Sequence, residues 1–146
     1  MPAFFDVLGK AAMRLATPAV QIVGDTVWVS VDCDTIVVAR GGVTANTADN
    51  KITIPKTGLY IINFGIDAEF AANDELDVVG FVNNVEYSLQ PAAMQGAGAG
   101  KPVNMFWQST LPLNAGDEVD IRMRNGDAGN IDPLVRRVSF SVTEDS

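Results

Sequence analysis

The chain has 146 residues, of which 47% are hydrophobic and 19% are charged, a composition typical of one ordered globular domain rather than of a disordered chain. Its formal net charge of −8 opposes binding to nucleic acid and to anionic membrane surfaces. Because the chain has no histidine and one cysteine, it excludes histidine-based catalytic centres, the usual zinc sites and an internal disulfide.

The N-terminal segment places apolar side chains at intervals of three and four residues, which predicts an amphipathic helix. The apolar face of this helix comprises Phe4, Phe5, Leu8, Ala11, Ala12 and Leu15. A helix this short needs a partner for its apolar face. Two alternatives remain open: the helix packs on its own domain, or it is an arm that binds another chain.

The second alternative divides the chain into an N-terminal arm, residues 1–19, and a jelly-roll domain, residues 20–146. It assigns binding of the partner to four side chains of the arm, which are Phe4, Phe5, Leu8 and Leu15. Charged residues interrupt every apolar stretch of this segment, so we expect no cleavable export signal. No apolar run elsewhere reaches the roughly 18–20 residues that span a bilayer.

From Gln21 onward the apolar period changes to two, which is typical of half-buried antiparallel strands. The clearest strand covers residues 59–70, where the even-numbered side chains are predicted to be core. Further strands are predicted at residues 26–31, 35–40, 51–54, 76–82, 85–89 and 103–113, around 119–123 and around 138–142. Turn signals rich in glycine, asparagine and aspartate separate them, without helical patterns. We therefore predict an all-β, two-sheet antiparallel jelly-roll sandwich with a short N-terminal helical or extended arm.

Three features of the chain are weak candidates for ligand chemistry. The glycine-rich residues 95–102 lack the spacing of a phosphate-binding loop and predict a flexible connection between strands. Cys33 lies between two aspartates, which favour an unreactive thiol. Oxygen ligands suited to calcium occur without the pattern of an EF-hand, at Asp32, Asp34, Asp127, Asn130 and Asp132. We predict no bound metal and no cofactor.

Three blocks of the sequence resemble the superfamily of tumour necrosis factor and the complement globular heads. Residues 52–64 are similar to its strand and proline followed by a Gly-x-Tyr-x-Phe-like alternation, with Gly58, Tyr60, Ile62 and Phe64 in those places. Residues 76–84 resemble its strand that ends in an Asn-Gly-type turn, although Asn84 stands where glycine is commoner. Residues 109–121 resemble its leucine-rich strand, Gly-Asp turn and next strand.

The resemblance implies a jelly roll that associates as a trimer, with apolar side chains of one sheet around the threefold axis. Apolar residues on strand faces that would be exposed to solvent in a monomer indicate where this interface lies. The predicted interface residues are Leu59, Ile61, Val79, Phe81 and Phe106. The chain has neither the collagen-like stalk of the complement proteins nor the transmembrane stalk of the cytokines, so we do not expect their extracellular signalling roles.

These observations favour a protein that binds and assembles, and not an enzyme. The preferred hypothesis is a trimeric decoration or cement protein on the capsid of a tailed phage, made in the host cytoplasm and located on the virion. Its partners would be its own copies and the major capsid protein subunits, without nucleic acid or membrane. The alternative is a secreted or surface recognition module of the complement-head type that binds glycan or protein through loops such as residues 92–102.

Overall fold

The computed structural model describes residues 8–21, 23, 27–87, 92–126 and 132–145, and within these ranges every regular element is a β-strand. In chain order the strands are β1 (Lys10–Leu15), β2 (Ala19–Val20), β3 (Val29–Ser30), β4 (Thr35–Arg40), β5 (Thr44–Asn46), β6 (Lys51–Thr53), β7 (Gly58–Glu69), β8 (Glu75–Val82), β9 (Val85–Glu86), β10 (Ala92–Gln95), β11 (Val103–Leu113), β12 (Glu118–Asn125) and β13 (Leu134–Glu144). No helix in the described ranges is long and apolar enough to cross a membrane.

The strands form two sheets whose inner faces enclose the core. The first sheet has the order β11-β7-β13-β1-β4, with β2 beside β13. The second has the order β10-β8-β12-β6-β5, with β3 beside β12 and β9 beside β8. Every pairing in these orders is antiparallel. The predicted all-β, two-sheet antiparallel sandwich is therefore confirmed.

The long strand β7 lies between β11 and β13 and carries the centre of the core. The predicted alternation is confirmed here, because the even-numbered residues from Tyr60 to Phe70 are all buried. The Tyr60 hydroxyl, at the start of this row, donates a hydrogen bond of 2.7 Å to the carbonyl of Lys56. Side chains of the opposite sheet cover this row, so β7 has one dry face and one outward face.

The predicted N-terminal helix is wrong over residues 10–15, where the chain forms β1 instead. Ala11, Met13 and Leu15 are buried in strand alternation, with 0%, 1% and 6% exposure. Ala11 and Leu15 fit the helical and the strand period alike, whereas Met13 belongs only to the strand pattern. Because β1 pairs with β13 on one side and β4 on the other, ladder hydrogen bonds satisfy its backbone on both edges.

This strand also corrects the predicted division of the chain at residue 19. Residues 10–15 form an interior strand of the first sheet, and β2 extends the same sheet beside β13. The sandwich therefore includes the second half of the segment that was predicted to be an arm. Phe4 and Phe5 lie outside the described residues.

The start of the glycine-rich connection, which was predicted at residues 95–102, is packed. The strand β10 (Ala92–Gln95) ends at the first residue of this connection, pairs with β8 and buries Met94. Next to it, a Cβ on Gly96 would clash with the backbone oxygen of Ala71, so this glycine permits a close approach of two backbone segments. Residues 92–96 are consequently part of the packed sandwich, whereas residues 97–102 form a connection between β10 and β11, as predicted.

Candidate functional site on the outer face of the first sheet

The outer face of the first sheet has an uncharged centre. Register places Phe106 opposite Gly65 and Gly65 opposite Ser139, and two similar rows run beside this one. The central outward positions of β11, β7 and β13 are Phe106, Gln108, Thr110, Ile61, Asn63, Gly65, Ser139, Ser141 and Thr143. None of them carries a charge. The absence of charge at this centre is a property shared with the cores of protein interfaces, where charged residues are depleted.

Three of the predicted interface residues lie on this outer face. Phe106 is 72% exposed and Leu59 is 50% exposed, while Ile61 is half-buried. A Cβ at Gly65 would lie 3.5 Å from the Phe106 ring, an ordinary van der Waals contact, so the ring lies beside this position of β7. These side chains form the apolar part of the surface.

The other two predicted interface residues, Val79 and Phe81, are on the second sheet and are not exposed. Their exposed fractions are 2% and 5%, so the expectation of wet apolar side chains, on which their assignment rested, is wrong. The Arg122 guanidinium lies 4.2 Å from the centre of the Phe81 ring. The Trp28 ring packs edge to face on Phe81, with the two ring centres 5.6 Å apart. Strand alternation identifies an outward face, but it does not show that other side chains cover it.

The same cluster covers much of the outer face of the second sheet. Asp120 is 1% exposed, and its carboxylate accepts hydrogen bonds from Arg122 at 2.8 Å and from the Ser30 hydroxyl at 2.6 Å. Arg124 stacks on Trp28 with its guanidinium 4.3 Å from the ring centre. These contacts lie within one chain, whereas the neutral face of the first sheet has no comparable cover among the described residues.

An open groove of about 780 Å³ lies at one end of the neutral face. Phe106 and Pro18 contribute apolar surface to it, and arginines at positions 14, 136 and 137 bring positive charge. Arg136 pairs with Glu69, and Arg137 is 3.5 Å from Asp67. Sequence reasoning missed this groove because the helix prediction placed Arg14 away from the sheet.

At the opposite end of the face, Glu144 joins the two ends of the described chain. Its carboxylate accepts a hydrogen bond of 2.9 Å from the Gly9 amide and forms an ion pair with the Lys56 ammonium at 2.8 Å. The hydrogen bond from Lys56, followed by that from Gly9, holds the pKa of Glu144 below its ordinary value. Burial, followed by the charge of Glu144, raises the pKa of Tyr60. These contacts secure the strand ends beside Leu59, whose carbonyl accepts the Asp145 amide at 2.9 Å.

The residues predicted to bind a partner from the N-terminal segment do not form one described surface. Leu15 is 6% exposed and points into the core, so its assignment to a partner contact is wrong. Leu8 is 38% exposed and precedes β1. Phe4 and Phe5 lie outside the described residues, and their assignment stays a prediction.

The candidates for ligand chemistry have structural roles where they are described. Burial, followed by the charges of Asp32 and Asp34, raises the pKa of Cys33 to about 12, which confirms an unreactive thiol. Across the described ranges, no group of three or more histidine, cysteine, aspartate or glutamate residues is arranged to hold a metal. Asp127 and Asn130 lie outside those ranges.

Solved structures of other proteins share this fold. The structure of Eiger TNF from S. frugiperda is similar to this chain, with a TM-score of 0.69 and 16% sequence identity. The match covers 95% of this chain and 93% of the Eiger chain. The globular domain of zebrafish complement 1qA protein matches over 96% and 98%, with a TM-score of 0.68 and 13% identity. Murine APRIL, in a crystal structure at pH 5.0, matches over 95% and 100%, with a TM-score of 0.63 and 10% identity.

At these identities the similarity shows the fold, a jelly roll of the kind found in tumour necrosis factor and the complement heads. No family model matches the sequence, and no curated protein does.

Proposed function

We propose that this chain is a structural protein that forms a homotrimer through the outer face of its first sheet, and that the trimer decorates and stabilises a phage capsid on the virion surface. The observation that carries the proposal is the neutral sheet face with Phe106 at 72% exposure and Leu59 at 50%. Aromatic side chains are enriched at protein interfaces relative to the rest of the protein surface.

Burial of these side chains is the energetic basis of the trimer. Covering Phe106 and Leu59 contributes about 1.5–3 kcal/mol for each side chain before ordering costs. Cyclic association is heterologous, since the face of one copy contacts a different surface of the next. The ring closes at three copies when the rotation that relates neighbouring copies is threefold. The fold resemblance favours three copies over other closed rings.

The test of the trimer is the mass in solution at micromolar concentration, measured by light scattering. We expect three times 15.5 kDa for the unmodified chain and a monomer for Phe106→Asp, because a desolvated carboxylate at the interface is costly. Val85→Asp is the matched control, since Val85 is 67% exposed on the second sheet and its substitution should leave the trimer intact. A monomeric unmodified chain, or a Phe106→Asp variant that stays trimeric, would contradict this assignment.

A trimer suits a decoration role because its symmetry presents three equal contacts at a threefold position of a shell. Three simultaneous contacts add avidity without new chemistry at any one contact. The recognition-module alternative has less support, since β10 occupies residues 92–95 and Gly96 packs against Ala71. Of residues 92–102, which the alternative offers as one such loop, residues 97–102 remain a connection between strands.

The capsid role is tested by mixing the trimer with purified phage capsids that lack a decoration protein, and then sedimenting them. We expect the trimer to co-sediment and to raise the temperature at which the shells come apart. Monomeric Phe106→Asp should bind much more weakly because it loses avidity. A trimer that stays in the supernatant but binds free glycans would instead support the recognition module.

A further inference from the structure

The two sheets carry opposite charge. Strands of the first sheet contain five basic and three acidic residues, whereas strands of the second contain three basic and five acidic residues. The chain as a whole has a formal net charge of −8, so most of the acidic excess lies outside the first sheet. The first sheet is thus the positive part of an acidic protein.

Two arginines concentrate this positive charge in the groove beside the neutral face. Arg14 is exposed and lies opposite Ser139, so it continues the row that contains Phe106. The Arg137 side chain is 84% exposed although it lies 3.5 Å from Asp67, which places that pair at the rim. Arg136 is instead held by Glu69. Asp67 also lines the groove, so Arg14, together with Arg137 in its exposed pair with Asp67, presents positive charge to whatever fills the groove.

We propose that an acidic surface of a second copy fills this groove, so that Arg14 and Arg137 form ion pairs across the subunit interface and set its register. This inference rests on the proposed trimer and identifies the residues that make it specific. The groove is continuous with the neutral face, since Phe106 lines both. Occupation by a neighbouring copy therefore extends the same interface.

Charge complementarity identifies the occupant. Copies that each carry −8 repel one another at long range, and a local contact between opposite charges offsets that repulsion. In a cyclic trimer each copy offers the first-sheet face to one neighbour and a different surface to the other. Each chain has a positive first-sheet face and an acidic surface elsewhere. The positive face of one copy can therefore meet an acidic surface of the next copy in all three interfaces.

The test measures trimer dissociation by sedimentation velocity over a range of protein concentrations. It is done at about 50 mM salt, where charges are weakly screened, and at about 500 mM salt, where they are strongly screened. We expect Arg14→Ala/Arg137→Ala to raise the concentration of half-dissociation by about tenfold or more at low salt, because enclosed charge pairs exceed exposed ones in strength. The salt dependence of dissociation should fall in the same variant.

Two further variants separate the charge effect from a general loss of structure. Arg14→Lys keeps the charge and should retain most of the trimer's stability, while Lys51→Ala removes one positive charge from the second sheet and should have little effect. The circular dichroism spectrum should be unchanged in the arginine variants, because the substituted arginines are exposed.

Three outcomes would overturn the inference. If the arginine variants form a trimer with unchanged stability and salt dependence, the groove is not part of the interface, although the trimer itself stands. If the unmodified chain is a monomer, the trimer and this inference both fail. If a hexaglutamate peptide binds the unmodified trimer and loses affinity in Arg14→Ala, the groove is open in the trimer and its occupant is a separate acidic peptide.

Discussion

Asp34 joins the end of β1 to the start of β4. Its carboxylate accepts hydrogen bonds from the Ala16 amide at 2.8 Å and the Thr17 amide at 3.1 Å, and also from the Thr35 hydroxyl at 2.8 Å. The bond from Ala16, followed by that from Thr35, holds the pKa of Asp34 below its ordinary value of 3.8. One carboxylate thus satisfies backbone donors where the first strand leaves the sheet.

The lowered pKa of Asp34 predicts a pH-dependent contribution to stability. The folded chain holds this carboxylate in its charged form, so the contribution is complete above about pH 3.8 and is lost as the pH falls toward the folded pKa. We expect Asp34→Ala to lower the melting temperature at neutral pH, with a difference that shrinks in acid. Melting curves of both proteins across this range provide the measurement, and a constant difference would contradict the prediction.

The strand β1 shows how position in a sheet determines the conformation of a short segment. It lies between β13 and β4, pairing Lys10 with Thr143 on one side and with Arg40 on the other. Two ladders supply the hydrogen bonds that a helix would otherwise form internally. The first and last described strands are therefore neighbours, and both are part of the first sheet.

We expect Met13→Ala to destabilise the fold by about 2–5 kcal/mol, because Met13 is 1% exposed in the core and its truncation leaves a cavity. Lys10→Ala in the same strand is the control, and its effect should stay within about 0.5 kcal/mol. Urea unfolding measures both. Equal small effects would indicate that β1 is not needed for the core, as the arm hypothesis requires.

The whole molecule separates two kinds of surface on opposite sides of one core. On the second sheet, Asp120 and Arg122 lie in a cluster of contacts within the chain. On the first sheet, the neutral face and the groove are open, with Phe106 at their junction. This asymmetry is compatible with the proposed cyclic assembly, in which each copy uses its first-sheet face for one neighbour and a different surface for the other.

The fold class followed from the sequence because its longest strands carry a regular local signal. In β7 and β13, apolar and polar residues alternate over many positions, and burial on one face of a sheet requires that period. The turn at Asn83 and Asn84 was likewise predictable, since both residues have positive φ, of 50° and 65°, and asparagine tolerates this conformation. Part of the candidate site was also predictable, because Phe106 lies on the outward side of such a strand.

Other features depend on residues that are distant along the chain. The segment containing Met13 is short enough to fit a helix or a strand, and its pairing with β13 and β4 resolves that ambiguity. Phe81 has the pattern of an outward residue, yet Arg122 and Trp28 cover it from other strands. Local periodicity reports which side of a strand a residue occupies, whereas burial depends on what packs there, and that is set by contacts between segments far apart in sequence.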